Sequence, residues 1–371
     1  MKIVVFGLSI TSSWGNGHAT TFRALFRALH SRGHKIVFFE KDLEWYASNR
    51  DLPQPDFCQV RLYEDWEQIR PIARRALANC DVAMVGSYFP DGIAAMTEML
   101  ESAAPVKTFY DIDTPITIAT LREQERTAYV EAAQLRGLDV YFSFTGGPML
   151  REIESRFGVR EAVPLYCSFD PERYHPMPAS RRYECDLSYM GTYAPDRQPR
   201  IDQLLVEVAR KLPDKKFIVA GPQYPKTIKW PSNLRRITHL NPRWHPHFYS
   251  SSRFTLNVTR QDMVKAGYSP SVRLFEAAAS GAAMISDNWP GLDTFFKPNS
   301  EILLPANTED AVRYLIELSD HERRFIGKNA MERVLAEHTS EQRATEFEAA
   351  ITARESLRKN IAAETSQTLI A

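Results

Sequence analysis

The chain reads as an α/β protein built of two doubly wound, Rossmann-like domains in tandem, facing each other across a cleft. Three observations predict this. Its 371 residues suit two domains at roughly 150 residues each. Short apolar runs alternate with helix-period segments in both halves, the signature of parallel strands joined by crossover helices. The alternation breaks once, where Pro164, Pro171, Pro176 and Pro178 interrupt it, and then restarts.

The elements follow in order. Residues 2–6 form a continuous apolar run, as expected of a strand buried on both faces. Over 20–31, Phe22, Leu25, Phe26 and Leu29 share one helical face. Gly33 stands where a helix cap belongs, and 34–39 is a second buried strand. Further strands end at Ser87, Asp111 and Thr145, with helices over 69–79 and 148–157. After the break, strands are predicted at 187–190, 217–220, 254–258, 283–286 and 302–304, and helical patterns run from Thr308 almost to the end. The final residues lose apolar periodicity and read as a disordered tail. The domains are thus 1–165 and 179–339, with a linker over 166–178. Ligands of such sheets bind at the carboxyl ends of the strands, and the natural site of a two-domain chain is the cleft between them.

Composition narrows the partners. Lys plus Arg number 46 and Asp plus Glu 46, so net charge is zero, and no global field favours nucleic acid or an anionic membrane. No apolar stretch is long enough to span a bilayer. The N-terminus lacks the pattern of a signal peptide. Cys58, Cys80, Cys167 and Cys185 are scattered without a CxxC pair, as expected of reduced thiols in a cytoplasmic protein with neither zinc knuckle nor disulfide framework.

The most informative segment runs over 267–281. Ser269 reads as an N-cap, Pro270 as the first helical residue and Gly281 as the end. The free amides and positive end of that helix suit an anion, with Ser271 in its first turn and Arg273 one turn in. Glu276 lies about 9 Å along the axis at ~1.5 Å per residue, roughly the span from a diphosphate to the ribose of the same nucleotide. Its carboxylate can accept from two ribose hydroxyls. The plainer reading is a capped helix with an Arg273–Glu276 pair. Ala277 to Ser280 are small enough for close approach to the sheet, and 287–291 opens a second loop at the next strand end.

Residues 267–287, read with 187–197, resemble the C-terminal half of a GT-B glycosyltransferase, and within that group the CgeB-like spore-maturation family, related to sucrose and glycogen synthases. The segment 166–176 resembles the interdomain stretch of such enzymes. The resemblance covers most of the second domain and, weakly, the first. It implies a nucleoside-diphosphate sugar, a UDP-sugar foremost, as co-substrate in the second domain. It also implies an acceptor in the first domain and a C-terminal helix over 340–371 crossing back to it. No further cofactor and no metal are expected, since such enzymes use helix dipoles and basic side chains instead. By the same resemblance Gly191, Thr192 and Tyr193 face the diphosphate with Arg197 nearby, and Gly221 borders the base, although turn chemistry explains Gly221 equally. Asn257, Thr259 and Arg260 stand at another strand end, where an arginine can balance phosphate charge. Many relatives carry two glutamates separated by seven residues, the second matching Glu276. Here the first is replaced by Tyr268, which places donor identity and a retaining mechanism in question.

In the first domain, Gly15, Asn16 and Gly17 make a glycine-rich loop after the first strand, on the acceptor side. It is not a dinucleotide fingerprint, although Glu40 stands where a dehydrogenase would hold ribose. His18 begins the first helix, and a neutral imidazole there can take a proton from an acceptor hydroxyl. Inverting GT-B enzymes place a histidine at this loop and an aspartate about a hundred residues on. Asp111 or Asp113 could orient His18; Asp113 could equally cap a helix through Thr114 and Pro115. A metal-binding DxD reading of Asp111 and Asp113 is set aside, because the fold that uses it has no second doubly wound half. His245 and His247, near Trp230 and Trp244, read as a surface loop.

The expected activity is transfer of a sugar to an acceptor hydroxyl, with inversion and His18 as base. A retaining GT-B enzyme is the alternative. A non-catalytic nucleotide-sugar-binding spore-coat or envelope module is the alternative from another class, and a dehydrogenase using Glu40 is a third.

Overall fold

A computed structural model describes residues 1–14 and 17–368 of the chain. It divides into two units, Met1–Tyr166 with Glu341–Ala371, and Cys167–Ser340.

The first unit carries a seven-stranded sheet, parallel throughout. Its strands are β1 (Lys2–Phe6), β2 (Lys35–Lys41), β3 (Gln59–Tyr63), β4 (Val82–Gly86), β5 (Val106–Asp111), β6 (Val140–Ser143) and β7 (Ala162–Pro164). They lie in the order β3-β2-β1-β4-β5-β6-β7, so strand order reverses between β1 and β4, where the loops diverge and leave room for a ligand. Ile3, Val4, Val5 and Phe6 are fully buried, as their unbroken apolar run requires. Phe22 and Phe26 of the helix Gly17–Ser31 pack on Phe38 of β2. The helix Ser340–Thr368 belongs to this unit, with Phe347 against Phe142 at 5.2 Å. Its Glu348 receives Arg32 and sits 2.6 Å from His34. The tail is therefore helical to Thr368, and 369–371 lie outside the described residues.

The second unit carries a five-stranded parallel sheet of β8 (Cys185–Met190), β9 (Phe217–Ala220), β10 (Leu234–Ile237), β11 (Ser252–Asn257) and β12 (Ala283–Ser286), ordered β10-β9-β8-β11-β12. Leu187, Tyr189, Val219, Phe254, Leu256 and Ile285 form its core with Leu204, Leu205 and Ala311 from flanking helices. The strand predicted at 302–304 is reduced to isolated bridges, Leu303 to Ile285 and Ile302 to Pro298. Prolines at 298 and 305 remove ladder donors on either side of it. Residues 167–178 group with this unit. The Cys167 thiol reaches the Pro270 carbonyl, and the Phe169 carbonyl accepts from the Ser340 amide.

Among the described residues no helix is long and apolar enough to cross a membrane.

Candidate active site

In the second unit the strand ends are locked together by backbone. The Gly191 amide donates to the Ala220 carbonyl at 2.9 Å, and the Gly221 amide to Ile237 at 2.8 Å. Gly221 adopts φ +143°, and a Cβ there would stand 2.0 Å from the Gly191 carbonyl oxygen. Its glycine is a requirement of close approach as well as of the turn. Tyr193 follows, its amide donating to Pro222 and its ring 5.5 Å from Tyr224. The Arg197 guanidinium donates to the Thr192 carbonyl and closes this loop on itself.

The key helix is Val272–Ala279, with Ser271 at its N-cap position. This corrects the expected start: Ser269 is a buried residue before the helix, and Pro270 precedes the cap instead of opening the first turn. A proline disfavours helical backbone in the residue ahead of it, and Ser271 after it is still extended. The Ser271 hydroxyl does not cap; it donates to Asn257 Oδ1 at 2.9 Å. Glu276 is consequently the fifth helical residue, about 6 Å from the helix start at ~1.5 Å per residue.

Arg273 and Asn257 are less available than expected. Arg273 is buried; its Nε donates to the Met190 carbonyl and its Nη1 to Asn257 Oδ1 at 2.7 Å. Its guanidinium lies 4.9 Å over the Tyr189 ring. The Asn257 amide donates to Ser286 Oγ at 2.9 Å. Both residues tie the helix start to the ends of β8, β11 and β12. Arg260 is the accessible cation, with 41 % of its side chain exposed and Asp196 3.7 Å away. Thr259 turns inward, its amide and hydroxyl donating to the buried Asp287 at 3.1 and 3.0 Å. Tyr268 is half-buried at φ +47°; its amide donates to Pro290 at 2.7 Å and its ring covers Gly291, where a Cβ would stand 2.4 Å away.

Glu276 sits at the centre of a buried polar group that the sequence did not reveal. Its side chain is 6 % exposed, with His245 Nδ1 3.9 Å away and the Tyr174 and Tyr249 hydroxyls as hydrogen-bonding neighbours. Burial pushes its carboxyl up to about 7, against the pull of Tyr174, Arg273 and Tyr249. Burial likewise lowers His245 to about 4, so at neutral pH the ring is uncharged. His245 opens the helix His245–Ser250, and its Nε2 meets the Leu240 carbonyl at 3.2 Å. It is therefore part of the interior and not of a surface loop. Tyr174 lay in a segment without periodicity, which is why its place beside Glu276 was not foreseeable.

In the first unit, Gly15 and Asn16 lie outside the described residues, while Gly17 begins the helix Gly17–Ser31. His18 is in its first turn, and His18 Nε2 stands 3.9 Å from Asp113 Oδ2, their side chains 10 % and 26 % exposed. Asp113 precedes the helix Thr114–Gln124 without capping it through its side chain. Asp111 is engaged elsewhere. It is fully buried and accepts from the Tyr141 hydroxyl, from Thr117 Oγ1 at 2.9 Å and from the Asp113 amide at 3.2 Å. Burial pushes it up to about 6. The two carboxylates of the 111–113 segment thus face different surroundings. Glu40 is also corrected. Its buried carboxylate accepts from Ser9 Oγ at 2.9 Å, the Ile10 amide at 2.7 Å, the Thr11 amide at 3.0 Å and Thr11 Oγ1 at 2.5 Å. It is spent on fixing the loop after β1 and has no lone pair left for a ribose. Arg23 reinforces that loop through the Ile10 carbonyl and a two-pronged pair with Asp51.

Comparison with known proteins agrees with this architecture. Residues 197–349 match the family model described as glycosyl transferase-like. No curated protein matches the chain by sequence. Among solved structures, sucrose-phosphate synthase from Thermosynechococcus elongatus superposes with a TM-score of 0.66 at 14 % identity, over 98 % of this chain and 100 % of that one. HepE of Anabaena in complex with UDP-glucose gives 0.70 at 11 % identity, over 95 % and 100 %. An alpha-glucosyltransferase in complex with UDP-glucose and DNA gives 0.70 at 14 % identity, over 95 % and 99 %. The chain has the fold of the GT-B glycosyltransferases, two parallel α/β units, and its residues 197–349 are glycosyl transferase-like.

Proposed function

We propose that the protein is a glycosyltransferase that moves a sugar from a nucleoside-diphosphate sugar, a UDP-sugar foremost, to an acceptor hydroxyl with inversion. The observation that carries this reading is the glycosyl transferase-like match over 197–349, the segment that holds Arg260, Arg273 and Glu276. Two of the structural neighbours were solved with UDP-glucose, which supports the choice of nucleotide. The resemblance over 166–176, 187–197 and 267–287 supports a CgeB-like affiliation.

In this reading the start of the helix Val272–Ala279 and the Gly191–Tyr193 loop bind the diphosphate, with Arg260 and Arg197 supplying charge. Glu276 accepts from the ribose once Tyr174 and Tyr249 share its oxygens. His18 Nε2 takes the proton of the acceptor hydroxyl as that oxygen attacks the anomeric carbon and the diphosphate leaves. Asp113 steadies the imidazolium that forms. The donor–acceptor pair carries all the atoms and electrons of the reaction, so the scheme requires no further cofactor.

The test is a thermal-shift screen of UDP, GDP, ADP and dTDP sugars, followed by assay of nucleoside diphosphate release and of the product's anomeric configuration. A raised Tm with a UDP-sugar, slow UDP release and an inverted product are expected. Binding of a nucleotide sugar with no turnover on any acceptor supports the non-catalytic module instead. Retention at the anomeric carbon removes His18 from the role of base.

A further inference from the structure

A pocket of about 520 Å³ opens in the first unit, and Tyr88, which lines it, meets His18 of the His18–Asp113 pair. Its walls include Tyr88, Ile116, Thr120, Gln124, Arg126 and Tyr129. Tyr88 joins it to the pair: its ring stands edge-on to His18 at 5.4 Å and meets Tyr129 at 4.8 Å. Thr120 and Gln124 come from the helix Thr114–Gln124 that starts just after Asp113. The far wall is fixed from within. The Tyr129 hydroxyl lies 2.7 Å from Thr117 Oγ1, which itself donates to Asp111 at 2.9 Å. Asp111 thereby holds this wall. Tyr88 adopts φ +62°, a left-handed backbone that costs a tyrosine energy and that places its ring between His18 and Tyr129.

The lining has a definite chemistry. The half-buried Tyr88 ring and Ile116 offer apolar surface, with the buried Tyr129 ring supporting Tyr88. Gln124 offers neutral donors and an acceptor, and the Thr120 hydroxyl, which donates to the Ile116 carbonyl at 2.9 Å, offers an acceptor. The one cation, Arg126, is matched by Glu131 at 3.3 Å, so the pocket has no unbalanced charge with which to draw an acid. We infer that this pocket is the acceptor subsite and that it takes a neutral pyranose ring, whose apolar face lies on Tyr88 and whose hydroxyls meet Thr120 and Gln124. The assignment rests on the transferase reading for the role of His18, and the ring chemistry rests on the pocket alone.

Saturation-transfer NMR on the full chain tests it, with methyl glucoside, galactoside and mannoside as probes against glucuronate, glucose 6-phosphate and phenol. Signal from at least one methyl pyranoside, exceeding that of the acids and of phenol, is expected. Thr120→Trp fills the pocket from a half-exposed helical position and should weaken that binding at least tenfold. Tyr88→Gly removes the ring where glycine suits the backbone, so it relieves strain and serves if the first variant misfolds; it should do the same. Absent pyranoside signal, preference for an acid or phenol, or signal unchanged in a folded variant overturns the assignment. UDP-glucose is titrated in parallel: failure to bind it contradicts the transferase reading, whereas pyranoside binding that the variants abolish still supports the pocket's ring chemistry.

Discussion

At the scale of single residues, two side chains, His18 and Glu276, carry separate predictions. His18 is held at a helix start with Asp113 3.9 Å away. His18→Ala should lower turnover by roughly 10²–10⁴-fold while donor affinity stays nearly constant; steady-state kinetics beside donor titration checks this, and full activity dismisses the base. Glu276 makes a different prediction. Burial raises it from the ordinary glutamate value of 4.5 to about 7 in the folded chain. Between those values the folded state binds more protons than the unfolded state, so stability falls as pH rises through the window. Glu276→Gln removes that dependence. Relative to the wild type, the variant should gain on the order of 2–3 kcal/mol between pH 4.5 and pH 8. Urea denaturation at both pH values measures it, and a difference independent of pH contradicts the buried, proton-linked carboxyl.

At the scale of elements, loops are positioned by residues outside them. Glu40, on β2, supplies acceptors to four donors of Ser9, Ile10 and Thr11. Glu40→Ala strands those buried groups and should cost about 3–5 kcal/mol in denaturant unfolding; a cost below about 1 kcal/mol contradicts the positioning role. In the second unit, Gly221→Ala drives a Cβ to 2.0 Å from the Gly191 carbonyl. It should destabilise by about 2–4 kcal/mol through strain at both strand ends, seen as a lowered Tm. The sequence made much of this level readable, for physical reasons. Buried parallel strands such as β1 and β12 are unbroken apolar runs, and the helix Pro148–Phe157 begins at proline and ends at Gly158. The edge strand β3 leaves no such signal, because its Gln59–Tyr63 stretch is mostly exposed and mixes polar with apolar residues. The start of the helix Val272–Ala279 is ambiguous in the sequence, because serines at 269 and 271 flank Pro270 and either residue suits an N-cap position.

At the scale of the whole molecule, the tandem architecture was legible because alternation and its single interruption are properties of long stretches. Which residues converge was much less so. Glu276 lies between Tyr174, from a segment without periodicity, and Tyr249 and His245, from a proline-bearing helix. Pairings this distant in sequence leave no local signal. The same holds for Asp111 and Asp113, two positions apart yet turned to different neighbours, and for the pocket that Tyr88 shares with His18. The proposed function nevertheless turns on one helix already marked in the sequence: its start is proposed to take a diphosphate and its buried carboxylate, Glu276, a ribose. Calorimetric titration of UDP-glucose into the wild type and Glu276→Ala tests it most directly. The account predicts binding to the wild type and a loss of about 1–3 kcal/mol in the variant. Equal affinity in the two proteins, or no binding of any nucleoside-diphosphate sugar to the wild type, would contradict it.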